Sequence, residues 1–270
     1  MKVFLTTLLA IATAAVLILG NLNWAKKTTI SSNTEVSKAA ETKKDQLTNG
    51  GSDNKSTSSA SREVLLKLAS NWPKESIEVF TKSLDEKRPF KILIVGSSAL
   101  GGSSSTGWPA LVETKVNEAY GETVSVDVKE YALTSLDFIE QDKTQELVES
   151  KADLIIFEPF TLNDNGIVRI EDSLDNITTV IEEVNSDNPN AAFVLQPPYP
   201  LYNAQFYPLQ VEALKNYAET NQISYLDHWT AWPDPATEEI KDYLLEDQSA
   251  PNEKGHGVWA EFVEGFLISK

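Results

Sequence analysis

The sequence predicts an α/β fold: a three-layer α/β/α sandwich around a mainly parallel, five-stranded sheet. Three observations lead there. Two short runs, Lys91-Ile-Leu-Ile-Val95 and Leu154-Ile-Ile-Phe157, are apolar without alternation, as strands buried on both faces are. Segments with helical spacing of apolar residues separate the strands. The order strand, helix, strand, helix then repeats, which implies a parallel sheet covered on both sides.

The elements follow in order. Arg62 to Asn71 places Val64, Leu65, Leu68 and Ala69 on one helical face, and Pro73 opens a second helix over Lys74 to Glu86. After the strand at Lys91–Val95, helices are expected near Trp108 to Glu118 and Leu136 to Glu149, with a strand near Val124 to Tyr131 between them. Beyond Leu154–Phe157 come a helix near Glu171 to Asn185, the strand Ala192 to Leu195, the helix Tyr207 to Thr220 and a short strand Ile223 to Leu226. Glu253 to Ile268 closes the chain as a helix, with Val258, Trp259, Phe262, Val263 and Phe266 at helical spacing.

The globular part is expected over 62–270. Residues 1–25 hold Lys2 and an uncharged, mostly apolar stretch, Val3 to Ala25. Its densest part, Val3 to Leu19, falls between a secretory apolar core of about 7–15 residues and a membrane helix of about 20. Asn23-Trp24-Ala25 is a poor cleavage site, so an uncleaved signal-anchor is favoured over a cleaved signal peptide. Residues 26–61, rich in Ser, Thr, Asn and Lys, bury too little apolar surface to offset ordering entropy and are expected to form a flexible tether. An extracytoplasmic protein, membrane-anchored or secreted, is the expectation, touching the membrane through the N-terminal segment only.

Charge narrows the partners. The net charge is −17, and from Arg62 onward 16 basic and 36 acidic residues give −20. Such a surface repels phosphate backbones, so no nucleic acid is expected, and polyanionic wall polymers are disfavoured too. With no cysteine and two histidines, neither disulfides nor zinc sites are expected. No metal or organic cofactor is implied.

In a parallel α/β sheet the ligand site lies beyond the C-terminal ends of the strands. The loop there after the first strand reads Gly96-Ser-Ser-Ala-Leu-Gly-Gly-Ser-Ser-Ser-Thr-Gly107. A phosphate cradle lacks its Lys and its Gly spacing. A plain loop and a nucleophilic serine with turn N–H groups facing an oxyanion remain.

The second option resembles the SGNH/GDSL hydrolase superfamily. Gly96-Ser97-Ser98-Ala99 stands where that family has Gly-Asp-Ser-Leu, which makes Ser98 the nucleophile, with Ser97 in place of the Asp. The second block's Gly is missing from Tyr131-Ala-Leu-Thr-Ser135. Asn163-Asp164 match the Gly-x-Asn-Asp block, with Thr161 for the Gly; the resemblance makes Asn163 an oxyanion donor, while the plain alternative is an Asx-turn or helix cap. The last block, Asp-x-x-His-Pro-Asn followed by Gly-His, reads Asp247-Gln-Ser-Ala250-Pro251-Asn252-Glu-Lys-Gly255-His256. Asp247 fits the triad carboxylate, and Ala250 occupies the place of the catalytic histidine. Of the two histidines, His256 is the candidate substitute base, with packing at a helix start as its alternative. His228 falls where the family usually has a structural Asp.

The resemblance implies a serine esterase acting on an acyl or acetyl ester of a small molecule, cell-surface glycan or lipid. The alternative is a catalytically impaired member that binds glycans, with Tyr202, Phe206, Tyr207, Trp229 and Trp232 near Pro197-Pro-Tyr-Pro200 as a sugar-stacking rim. An unrelated flavodoxin-like module, binding an anion at the Gly96 loop, is the third option.

Overall fold

The computed structural model describes residues 53–270, with side chains from Ser61 onward. The expected signal-anchor and most of the expected tether lie outside the described residues. Among those described, no helix is long and apolar enough to cross a membrane.

The first helix, α1 (Asp53–Leu68), begins inside the stretch expected to be a tether. Extending an existing helix costs far less than nucleating one, so the amphipathic turns from Arg62 can carry the polar residues before them. Then α2 (Lys74–Glu86) starts behind Pro73 and ends on Lys87 in the left-handed region. The strands are β1 (Phe90–Ser97), β2 (Val124–Tyr131), β3 (Leu154–Phe157), β4 (Ala192–Leu195) and β5 (Ser224–Tyr225). They form one sheet in the order β2-β1-β3-β4-β5, every pair parallel. The connecting helices are α3 (Trp108–Tyr120), α4 (Ser135–Glu140), α5 (Thr144–Ser150), α6 (Thr161–Asp164), α7 (Ile170–Asp187) and α8 (Tyr207–Thr220), and α9 (Glu253–Leu267) closes the domain.

Two differences from expectation have local causes. The helix expected over 136–149 is two helices, broken at Asp142 in the left-handed region. The last strand shrinks to Ser224–Tyr225 at the sheet edge, where one neighbour rather than two holds it.

Strand alternation divides the core. Ile92, Ile94, Ile156 and Val194 face one apolar cluster with Trp72, Phe80, Trp108, Trp259 and Val263. Leu93, Val95, Ile155, Phe157 and Leu195 face a second one with Phe138, Ile177, Val180 and Leu214. The helices thus form a layer on each face. The Trp72 indole and the Tyr120 hydroxyl both donate to the Leu267 carbonyl, at 2.9 and 2.6 Å, and Ser269 N–H donates to Leu68 O. These bonds fasten the end of α9 to the start of the domain.

Candidate active site

Ser98 follows β1 directly and is exposed at the C-terminal end of the sheet. It starts a short 3-10 turn, Ser98–Leu100, which the Ser97 hydroxyl caps by accepting the Ala99 N–H at 3.2 Å. Gly101 ends the turn in the left-handed region, φ 63°, and donates to Ser98 O. A Cβ at Gly101 would lie 2.8–2.9 Å from the His256 ring, so conformation and space both demand glycine here.

The turn's N–H groups are largely committed. Besides Ala99 and Gly101, Gly102 N–H donates to Glu130 Oε2 at 2.6 Å. A carboxylate therefore already occupies the Gly-rich loop, which counts against an anion cradle there. The oxyanion donors expected from this turn are mostly spent inside it.

Asn163 and Asp164 lie on α6, after β3, beside the loop that follows β2. Asn163 Nδ2 donates to Leu133 O at 2.7 Å. Asp164 is buried; its Oδ1 accepts Ser135 N–H at 2.7 Å, and its Oδ2 accepts the Ser173 hydroxyl at 2.6 Å. Burial pushes its pKa up against those bonds. Asp164 thus ties α4 and α7 to α6, and the half-buried Asn163 keeps one amide hydrogen beyond its bond to Leu133. Phe160, just before α6, takes φ 63° although bulky and buried. A left-handed phenylalanine stores about 1–3 kcal/mol of strain. Packing against Phe138, Phe157 and Tyr131 holds it there.

The last block is not assembled on Ser98. Asp247 is exposed, and its Oδ1 accepts the Ser249 N–H at 3.0 Å and the Ser249 hydroxyl at 2.6 Å, which hold its carboxyl below the usual range. Ala250 is half-buried, with its carbonyl accepting Leu245 N–H. Asn252 caps α9, accepting the N–H groups of Lys254 and Gly255. His256, buried one turn later, accepts Trp108 N–H on Nδ1 at 3.4 Å and turns its Nε2 edge toward Gly101. With Nδ1 accepting, the proton of the neutral ring sits on Nε2. Burial lowers its pKa. Among the described residues, no hydrogen bond joins Ser98, Asp247 and His256. The structure brings His256 to Ser98's loop, not to its hydroxyl.

His228 is fully buried. Its Nε2 donates to Pro197 O at 2.8 Å, its Nδ1 accepts the Trp232 indole N–H at 3.0 Å, and its ring stacks on Trp259 at 4.3 Å. Burial pulls its pKa down to about 4. It is a neutral structural histidine. The expected sugar-stacking rim is also mostly core: Tyr199, Tyr207 and Trp232 are buried, Trp229 donates to Pro198 O, and Lys241 covers the Tyr202 ring. Of that group, only Phe206 is strongly exposed. The Pro-rich segment needs these rings to pack it against α8 and α9.

Sequence reasoning passed over Glu158. This buried carboxyl follows β3, and its Oε2 accepts Ser97 N–H at 2.7 Å. The signal was legible: an acidic residue directly after the apolar run Leu154–Phe157. Beside it, Gln196 follows β4 and accepts the Trp259 indole N–H. Among the described residues, no cluster of His, Asp or Glu is arranged to hold a metal ion. A groove of about 500 Å³ lies at the opposite end of the sheet, near Arg88, Asp153 and Asn185, away from Ser98.

No protein-family model and no curated protein matches the chain. Solved structures do. A protein assigned as a GDSL-like lipase from Parabacteroides merdae superposes with TM-score 0.57 at 11% identity, over 67% of this chain and 96% of that one. The fold is that of the SGNH/GDSL hydrolases. A G-D-S-L family lipolytic protein from Desulfitobacterium hafniense gives TM-score 0.53 at 19% identity, over 66% of this chain and 99% of that one. A catalytic mutant of an acetylxylan esterase from Geobacillus stearothermophilus gives 0.55 at 16%, over 67% and 94%. The matched part, 66–67% of this chain, covers most of the described domain, and at these identities the likeness is one of fold.

Proposed function

We propose that this domain is a serine ester hydrolase working through Ser98 on short acyl esters, such as acetyl groups on a neutral cell-surface glycan, with low turnover. The observation that carries this is the exposed Ser98 hydroxyl at the C-terminal end of β1, in a fold shared with lipases and an acetylxylan esterase. Ser98 is the nucleophile, Asn163 Nδ2 the oxyanion donor, Asp247 the orienting carboxylate and His256 the base. Low turnover follows from the resting geometry: with its proton on Nε2, the His256 ring must exchange tautomers and swing from Trp108 before it can accept from Ser98. A serine without an engaged base keeps about 10³–10⁴-fold catalysis over water from oxyanion stabilisation and binding.

The short acyl group is supported by the acetylxylan esterase among the structures that share the fold. The acidic surface, −20 from Arg62 onward, favours a neutral glycan over a polyanion. The site is assigned to the extracytoplasmic side, the chain being tethered or secreted through its apolar N-terminal segment.

The unassembled last block also favours a second possibility, a glycan-binding module that has lost hydrolysis. Turnover of p-nitrophenyl acetate that disappears in Ser98→Ala supports the esterase. Absence of turnover, together with saturable binding to wall polysaccharide, overturns it in favour of the binding module.

A further inference from the structure

The Ser98 chemistry leaves unused the carboxyl that lies beneath it. Glu158 is fully buried, yet its contacts converge on the residues flanking Ser98. Its Oε2 accepts Ser97 N–H at 2.7 Å. The Ser97 hydroxyl oxygen in turn accepts Ala99 N–H. The carboxyl therefore fixes the residue before Ser98, and that residue's own hydroxyl holds the residue after it. The room for it is built in: a Cβ at Gly96 would lie 2.7 Å from Glu158 Cβ and 2.9 Å from its Oε2.

We propose that Glu158 is a positioning residue for Ser98, supplying from the neighbouring strand the carboxylate that Ser97 does not carry, and that Ser98 is held ready to attack only while Glu158 is ionised. This rests on the Ser98 esterase reading. The groups facing Glu158 pull in opposite directions. Burial and the charge of Asp164 on α6 disfavour the anion, whereas Ser97 N–H favours it. Tyr199 and Tyr207, from the loop after β4 and from α8, both feel its charge and stay neutral hydroxyls. Oε1 has no partner among the described residues; nor have Gln196 Nε2 or Trp108 Nε1, both on the same face of the sheet. The balance lies at a pKa of about 7, with desolvation the largest cause of the rise. On protonation, Ser97 N–H loses its anionic acceptor and the turn loses its anchor.

The test uses the full chain and a fluorophosphonate probe. The Ser98 labelling rate should fall about tenfold per pH unit below about 7. Glu158→Gln should be flat over that limb, and Glu158→Asp should restore it. His256 adds its own limb at lower pH, because burial lowers its pKa. A limb near 7 that persists in Glu158→Gln overturns the proposal. In parallel, carboxyl NMR of the wild-type chain should show one buried glutamate titrating near 7, with the Ser97 and Ala99 amide shifts moving at the same midpoint. If Ser98 is never labelled at any pH, the esterase reading fails while the NMR arm still decides whether Glu158 controls the turn. Amide shifts that ignore the carboxyl titration overturn the Glu158 proposal itself.

Discussion

Restoring the missing base should convert a slow site into a fast one, and Ala250→His is the substitution that does it. The Ala250 carbonyl accepts Leu245 N–H, a bond any side chain preserves, and the half-buried site leaves room toward solvent. A histidine there stands three residues from Asp247. Adding a base in the usual position to a site whose His256 is not bonded to Ser98 is worth about 10³–10⁴ in rate, or about 4–5.5 kcal/mol. Asp247 must first leave the Ser249 hydroxyl, now 2.6 Å away, which takes back about a factor of ten. The expected net gain in kcat/KM for p-nitrophenyl acetate is about 10²–10³-fold. The gain must vanish in Ala250→His/Ser98→Ala and shrink in Ala250→His/Asp247→Ala. A folded Ala250→His chain with wild-type turnover, or one whose gain survives Ser98→Ala, refutes the placement of the active site.

Three further outcomes are expected. Asn163→Ala removes the oxyanion donor and should lower kcat by about 10²–10³, with a stability loss of about 0.5–1.5 kcal/mol from the lost bond to Leu133, read by urea titration. Asn252→Ala uncaps α9 and should cost about 1 kcal/mol, seen as a lower Tm with the Ala250→His gain intact. The pH dependence of stability carries two opposed terms. Glu158, raised to about 7, binds more protons folded than unfolded, so its contribution falls as pH rises from about 4.5 to 7. His228, lowered to about 4, binds fewer protons folded, so its contribution is lost as pH falls from about 6.5 to 4. Each is worth about 3 kcal/mol over its window, so wild-type Tm should change little between pH 4.5 and 6.5. Glu158→Gln should expose acid lability in that window, and His228→Asn should expose its mirror image; thermal melts parallel to wild type in both variants would contradict these assignments.

The sheet was legible because its strands announce themselves. The unbroken apolar runs Ile92–Val95 and Leu154–Phe157 can only be buried on both faces, and both became inner strands. Edge elements were less legible: Ile223 to Leu226 reads as a strand, but pairing with one neighbour leaves only Ser224–Tyr225 in register. The break at Asp142 was invisible because no Gly or Pro marks it. At the site, the helix expected from Glu253 begins there, with Asn252 as its cap. The aromatic rim misled because Tyr and Trp near prolines serve packing as well as binding; Tyr199 and Tyr207 turned inward. Glu158 stands in plain view after the run Leu154–Phe157; the pairing of Phe157 with Val95, which sets it beneath Ser97, is what linear spacing does not encode.

The ring stack behind the site has an optical consequence. Trp108 and Trp259 stack at 5.1 Å with an interplanar angle of 21°, and Trp259 stacks on His228 at 4.3 Å with an angle of 10°. Indoles this close couple their electronic transitions, so the near-ultraviolet circular dichroism should carry a strong signed couplet. Trp108 opens α3 at the far end of the Ser98 loop and donates its backbone N–H to His256. The couplet therefore reports on the packing of the residue whose backbone amide holds the imidazole.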